Sequence, residues 1–160
     1  VKFNDGPKAL YLDKQEHLYV SLDSYPGRVL KYSFRSTTPE ETVITNEPSS
    51  LAGVFVDQCG TVYTAAQPFG GIGTIKKFFN VSSAASVVVA SDLNRPWGLT
   101  LDKYGNFYVV EMYGNRVQRI SVRDGVMEVI INKSAVEGNN AEHLREPESL
   151  ILGLSLKNVK

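Results

Sequence analysis

Few residues in this chain of 160 carry groups suited to catalysis or metal binding. There are two histidines, His17 and His143, and a single cysteine, Cys59. Zinc sites draw on Cys and His at short, regular spacings, and these three are far apart and fall in different predicted loops. One cysteine also excludes an intrachain disulfide. Cys59 has no base or cation beside it in sequence to activate a thiolate, so it reads as an ordinary turn cysteine next to Gly60. Gly70-Gly71-Ile72-Gly73-Thr74 has the glycines of a phosphate loop. It lacks the following Gly-Lys-Ser/Thr and leads into a strand, which leaves no helix dipole to hold an anion. Asp13, Asp57 and Asp102 suggest calcium binding or acid–base work. They are spaced 44 and 45 residues apart and occupy the same kind of turn. A catalytic carboxylate needs to occur once, whereas a turn-forming one recurs, so a structural role is expected for all three, with Gly60 and Gly105 in the same turns.

That recurrence defines the elements that position everything else. Pro96 to Ile120 reads as alternating apolar and polar runs separated by turn residues, with no helical period. Asp102-Lys103-Tyr104-Gly105-Asn106 forms one turn, Met112-Tyr113-Gly114-Asn115 a second, and Arg123-Asp124-Gly125 a third. The run Met127 to Ile131 then completes four short strands. The opening pattern is found three times, as PKALYLDKQEHLYV from Pro7, LAGVFVDQCGTVYT from Leu51 and PWGLTLDKYGNFYV from Pro96. Tyr19, Tyr63 and Tyr108 keep the same offset. A downstream strand also recurs, as Arg28-Val29-Leu30-Lys31-Tyr32, Thr74-Ile75-Lys76-Lys77-Phe78 and Arg116-Val117-Gln118-Arg119-Ile120. A period of about 44 residues is that of a four-stranded propeller blade.

The third copy, with Pro96, Gly98, Leu99, Leu101, Asp102, Gly105, Asn106, Tyr108, Val109, Asn115, Arg116, Val117 and Gln118, resembles the NHL repeat. The resemblance covers residues 7 to 152. It implies an all-β chain of NHL-type β-propeller blades, each a four-stranded antiparallel sheet, in an incomplete ring of about 3.5 blades. The expected divisions are 1–6 as an outer strand of a preceding blade, 7–48, 49–92 and 93–133 as three blades, and 134–160 as a loop and partial fourth blade. The first copy has Glu16-His17 where Gly-Asn is expected, which predicts a different turn type there. Closed propellers use about 4–8 blades. Completion is expected from further blades of a longer chain or from a homo-oligomer.

Seventeen basic and seventeen acidic residues balance, so no global field draws the chain to nucleic acid or anionic membrane. The longest apolar runs are too short to span a bilayer, and no membrane association is expected. Any signal peptide is expected outside this sequence. The triplets Asn80-Val81-Ser82 and Asn132-Lys133-Ser134 are candidate glycosylation sites. Their use would place the protein outside the cell, and otherwise a cytoplasmic location is expected.

In a propeller of the expected topology, one rim collects the loops entering each blade and those between second and third strands. That rim holds Arg95, Trp97, Tyr113 and Asn115 of the third blade, Tyr25 of the first, Phe69 of the second and Glu148 of the partial fourth. Lys8, Ser24, Ala52, Gln67 and Asn94 belong to the same rim. Arg, Trp and Tyr are the types that dominate binding hot spots. The resemblance implies a non-catalytic scaffold holding a protein or peptide ligand there, without a cofactor. Relatives of the repeat also include metal-dependent lactonase- and lyase-like enzymes and single-stranded RNA binders. Asn94, Asn115 and Glu148 are the nearest metal-ligand candidates, and the zero net charge makes RNA the weaker alternative. A metal-dependent site would make millimolar calcium or zinc raise the melting temperature, since a ligand of the folded state adds stability. The expected outcome of a thermal-shift scan with both metals is no shift.

Overall fold

A computed structural model describes residues 6–33, 35–79, 85–132 and 148. These residues form strands β1 (Pro7–Leu12), β2 (Leu18–Leu22), β3 (Gly27–Tyr32), β4 (Glu41–Glu47), β5 (Ser50–Val56), β6 (Val62–Gln67), β7 (Gly73–Phe78), β8 (Ser86–Leu93), β9 (Pro96–Leu101), β10 (Phe107–Glu111), β11 (Arg116–Ile120) and β12 (Met127–Asn132). They make three antiparallel sheets, ordered β1-β2-β3-β4, β5-β6-β7-β8 and β9-β10-β11-β12. Each sheet is a meander in which every strand pairs with its neighbour in sequence. The expected outer strand within residues 1–6, His143, the glycan acceptors Asn80 and the Asn132 side chain, and the partial fourth blade apart from Glu148 lie outside the described residues.

The first hairpin of each sheet closes in the same register, Leu12↔Leu18, Val56↔Val62 and Leu101↔Phe107. The turn aspartates hold these closures. The Asp13 Oδ1 accepts from the amides of Gln15 at 2.9 Å and His17 at 2.8 Å. Asp57 Oδ1 accepts from Cys59 and Thr61, both at 2.9 Å, and Asp102 Oδ1 from Tyr104 at 2.8 Å and Asn106 at 3.0 Å. The second carboxylate oxygen takes the His17 ring, the Tyr63 hydroxyl or the Asn106 amide. The different turn predicted at Glu16-His17 is not found. Glu16 adopts φ 64°, beside 79° at Gly60 and 86° at Gly105. The backbone bonds of Asp13 to Glu16 and His17 match those of the other two turns. Three hydrogen bonds to Asp13 overcome the strain of a left-handed non-glycine residue.

Alternate residues of each strand point to opposite faces, and the second sheet is packed on both of its faces, against the first and the third. Between the first and second sheets lie Tyr19, Val29, Val43 and Ile44 against Leu51, Val54, Val56, Val62, Ala66 and Phe78. Between the second and third lie Ala52, Tyr63, Ala65, Ile75, Ala90 and Leu93 against Leu99, Phe107, Val109 and Ile120. The inner strand β5 packs on both β1 and β9. Gly53 permits the second approach, because a Cβ there would collide with the Trp97 carbonyl oxygen and stand 2.8 Å from the Leu99 nitrogen. A buried Glu47–Lys76 ion pair crosses from the first sheet to the second. The corresponding positions between the second and third sheets are held by Leu93 and Gln118.

The turn carboxylates also make the fold acid-sensitive. Burial pushes the Asp13 carboxyl up, but hydrogen bonds from the His17 amide and ring and the Gln15 amide outweigh it and hold it below 3.8. Asp102 is likewise raised by burial and lowered further by Asn106 and the Tyr104 amide. The hydroxyls of Tyr19 and Tyr63 are pushed up to about 12 by burial and by the neighbouring Asp13 and Asp57. A carboxyl with a lowered folded pKa contributes stability that is complete above its unfolded value and lost as pH falls through the folded one. Asp102→Asn is therefore expected to lower stability at neutral pH by about 1–2 kcal/mol. It also flattens the loss of melting temperature below about pH 4. Thermal melts of both proteins against pH check this, and parallel curves would remove the role of the carboxylate charge.

Candidate ligand-binding site

The ends of the sheets opposite the aspartate turns carry the loops β2–β3, β6–β7 and β10–β11 and the connections between sheets. These loops surround a cavity of about 800 Å³. Of the residues expected on this rim, Tyr25, Phe69, Arg95, Trp97 and Tyr113 line it, together with Lys8, Ser24, Ala52, Gln67 and Asn94. Asn115 does not line it. Its backbone is left-handed at φ 48° and its amide donates to the Met112 carbonyl at 3.4 Å, so it shapes the β10–β11 turn. Glu148 is exposed and lines a second hollow of about 370 Å³ that runs along the inner strands, with Lys8, Gly53 and Trp97.

Trp97 is the centre of the cavity wall. The Lys8 Nζ stands 4.6 Å from its ring centroid, and the Arg95 guanidinium 5.5 Å. Arg95 also lies 4.4 Å from the Tyr113 ring centroid and donates to the Tyr113 hydroxyl. Each cation–aromatic contact contributes about 0.5–1 kcal/mol at an exposed site. The two cations differ in how they are compensated. Lys8 pairs with Asp23 at 3.1 Å and donates to Ser50 Oγ at 2.9 Å. Arg95 has no carboxylate partner among the described residues. Lys8, Ala52 and Trp97 occupy the same position of the three inner strands, two residues into each repeat. The small Ala52 between them leaves Lys8 room to reach Trp97 across the second sheet.

The loops are held from behind. Gln67 Nε2 donates to the carbonyls of Pro68 at 3.3 Å and Gly71 at 2.7 Å, bracing the β6–β7 loop that presents Phe69, which is 92% exposed. The β10–β11 loop rests on Glu111, which is fully buried, pairs with Arg116 and accepts from Gln118 Nε2 at 3.2 Å. Glu111 and Arg116 flank the loop in sequence, a placement that suggests a brace across it, and the structure encloses the acid while leaving the Arg116 side chain partly exposed. Gly114 fits over it because a Cβ there would stand 2.6 Å from Glu111 Oε2.

Sequence reasoning missed Asp23, Ser50 and Asp92 on the cavity wall. The Lys8–Trp97 stack was also missed, since it joins two sheets 89 positions apart (97 − 8). The equivalence of Lys8 and Trp97 in the repeat was the available signal. Among the described residues no three His, Cys, Asp or Glu side chains are grouped to hold a metal ion. No helix of the described residues is long and apolar enough to cross a membrane.

Neither protein-family profiles nor curated proteins give a match to this chain. Solved structures do. A chain of a nidogen/laminin complex superposes with a TM-score of 0.64 at 17% identity, covering 80% of this chain and 49% of that one. A protein assigned as a gluconolactonase gives 0.59 at 16% identity, covering 78% and 48%. These likenesses, with the three repeated sheets, show a β-propeller fold. The chain spans about half the length of either structure.

The buried acid under the β10–β11 loop gives a test of what holds the site. Arg116→Ala leaves Glu111 buried with Gln118 as its remaining partner. A loss of about 3–5 kcal/mol in stability is expected. Chemical denaturation reads it, and a change under 1 kcal/mol would show that Glu111 is solvated in the folded chain.

Proposed function

We propose that this chain is part of an NHL-type propeller that acts as a non-catalytic binding module and holds a protein or peptide ligand in the cavity between the β2–β3, β6–β7 and β10–β11 loops. The observation that carries this reading is the stack of Lys8, Trp97, Arg95 and Tyr113, assembled from the first and third sheets at the cavity wall. Aromatic and Arg side chains on braced loops supply large contact area at small entropic cost. Exposed Phe69, Tyr25 and Tyr113 extend the same apolar surface. The matched chain was crystallised in a complex of nidogen with laminin, an assembly between proteins that agrees with this use of the fold. The lactonase-like alternative rests on fold likeness alone, and a fold does not settle function. Single-stranded RNA finds little support in a chain of zero net charge.

A displayed peptide library selected on the chain tests the proposal. Enriched peptides are expected to bind the unchanged protein and to lose affinity by about 30-fold or more with Trp97→Ala, and by about tenfold with Arg95→Ala. Peptides that bind all three proteins equally would place the binding surface elsewhere.

A further inference from the structure

The first sheet packs on the second by one face, and among the described residues no strand packs on its other face. Leu10 and Leu12 are 64% and 60% exposed there. With Leu18, Leu30 and Tyr32 they line an apolar hollow of about 570 Å³. The strand registers show what this face is built to meet. The pairs Leu12↔Leu18 and Leu18↔Tyr32 of the first sheet correspond to Val56↔Val62 and Val62↔Phe78 of the second. Leu10, Leu12, Leu18 and Tyr32 thus hold the positions of Val54, Val56, Val62 and Phe78. In the second sheet those four residues are buried against Val29, Val43 and Ile44 of the preceding sheet. The same surface is therefore an interface in one repeat, and in the other it meets no sheet among the described residues and leaves Leu10 and Leu12 exposed.

The complementary half belongs to the third sheet. The second sheet offers Ile75 and Ala90 to the third. The pairings Ile75↔Ala90 and Val117↔Ile131 put Val117 and Ile131 at those positions of the third sheet. Ile131 and the adjacent Ile130 are 43% and 46% exposed.

We propose that the open face of the first sheet is a docking surface for the trailing face of another blade of this repeat, and that in a solution of this chain the blade seated there is the third of a second copy. The contact continues the interface already made twice within the chain. It is head-to-tail, so two copies related by a two-fold axis make it twice and close, whereas an unclosed arrangement would grow into a filament.

Light scattering over about a hundredfold range of concentration tests this, with the unchanged chain, Leu10→Glu with Leu12→Glu, and Ile131→Glu. The unchanged chain is expected to approach twice its monomer mass. The double variant is expected to weaken association on the order of 100-fold and Ile131→Glu on the order of tenfold. The circular dichroism should stay unchanged, because all three residues are already exposed in the single chain. Should the charged pair unfold the chain, Leu10→Ser with Leu12→Ser gives the same reading. A monomer at every concentration overturns the proposal, as does a dimer that the Leu10 and Leu12 variants leave intact. A dimer sensitive to Leu10 and Leu12 but indifferent to Ile131 overturns the third blade as partner, since it points to two first blades meeting face to face.

Discussion

The spacing of the inner strands governs this structure. Strands from separate sheets share no ladder of hydrogen bonds, so their distance is set by what stands between them. At Gly53 nothing does, and the backbone of β5 comes against that of β9 at the Trp97 carbonyl. A similar intimacy is found where Gly27 meets the Ser49 carbonyl and Leu51, and where Gly73 meets Pro96. These contacts draw the sheets together until the side chains of adjacent faces interdigitate. They also bring the same repeat position of different blades within reach of one another. The cavity wall is a product of that approach: Lys8 can lie over Trp97 only because the inner strands converge.

Much of this was legible in the sequence because a repeat reports its own architecture. The period, the strands and the closing turns follow from residues that reappear in register, above all Asp13, Asp57 and Asp102. The first hairpin shows the limit of reading residue by residue. Glu16 looks unfit for a left-handed position, yet the carboxylate of Asp13 and the ring of His17 hold the turn in its common form. The loops that gather Tyr25, Phe69, Arg95, Trp97 and Tyr113 follow from topology alone. What topology does not carry is burial. The spacing of Glu111 and Arg116 suggests a brace but not its depth, and only the packing of Gly114 and Gln118 around them reveals a fully enclosed acid.

The two ends of the sheets divide the work. At one end, aspartates satisfy backbone amides in every hairpin, and burial together with Asp13 and Asp57 pushes the hydroxyls of Tyr19 and Tyr63 up to about 12. This end is uniform from blade to blade. At the other end the loops differ in length and content, and their side chains are exposed. Binding residues concentrate where a rigid scaffold ends and variable loops begin, and here the division falls within each hairpin. The buried pairs Glu47–Lys76 and Glu111–Arg116 stand close to the variable end, where they restrain loops that apolar packing alone would leave loose.

Lys8, Ala52 and Trp97 share one column of the repeat, and the next residue of that column in the sequence is Glu148. A cation, a methyl group and an indole occupy equivalent sites above hairpins that close in the same register. The column faces one shared space, in which Lys8 lies over Trp97 across the small Ala52. Under the proposed binding role, changing an occupant of this column would alter the recognition surface while leaving the registers and turns of the hairpins as they were. Such a surface can acquire a new ligand by single substitutions, each judged on binding alone, with little penalty in folding to hold it back.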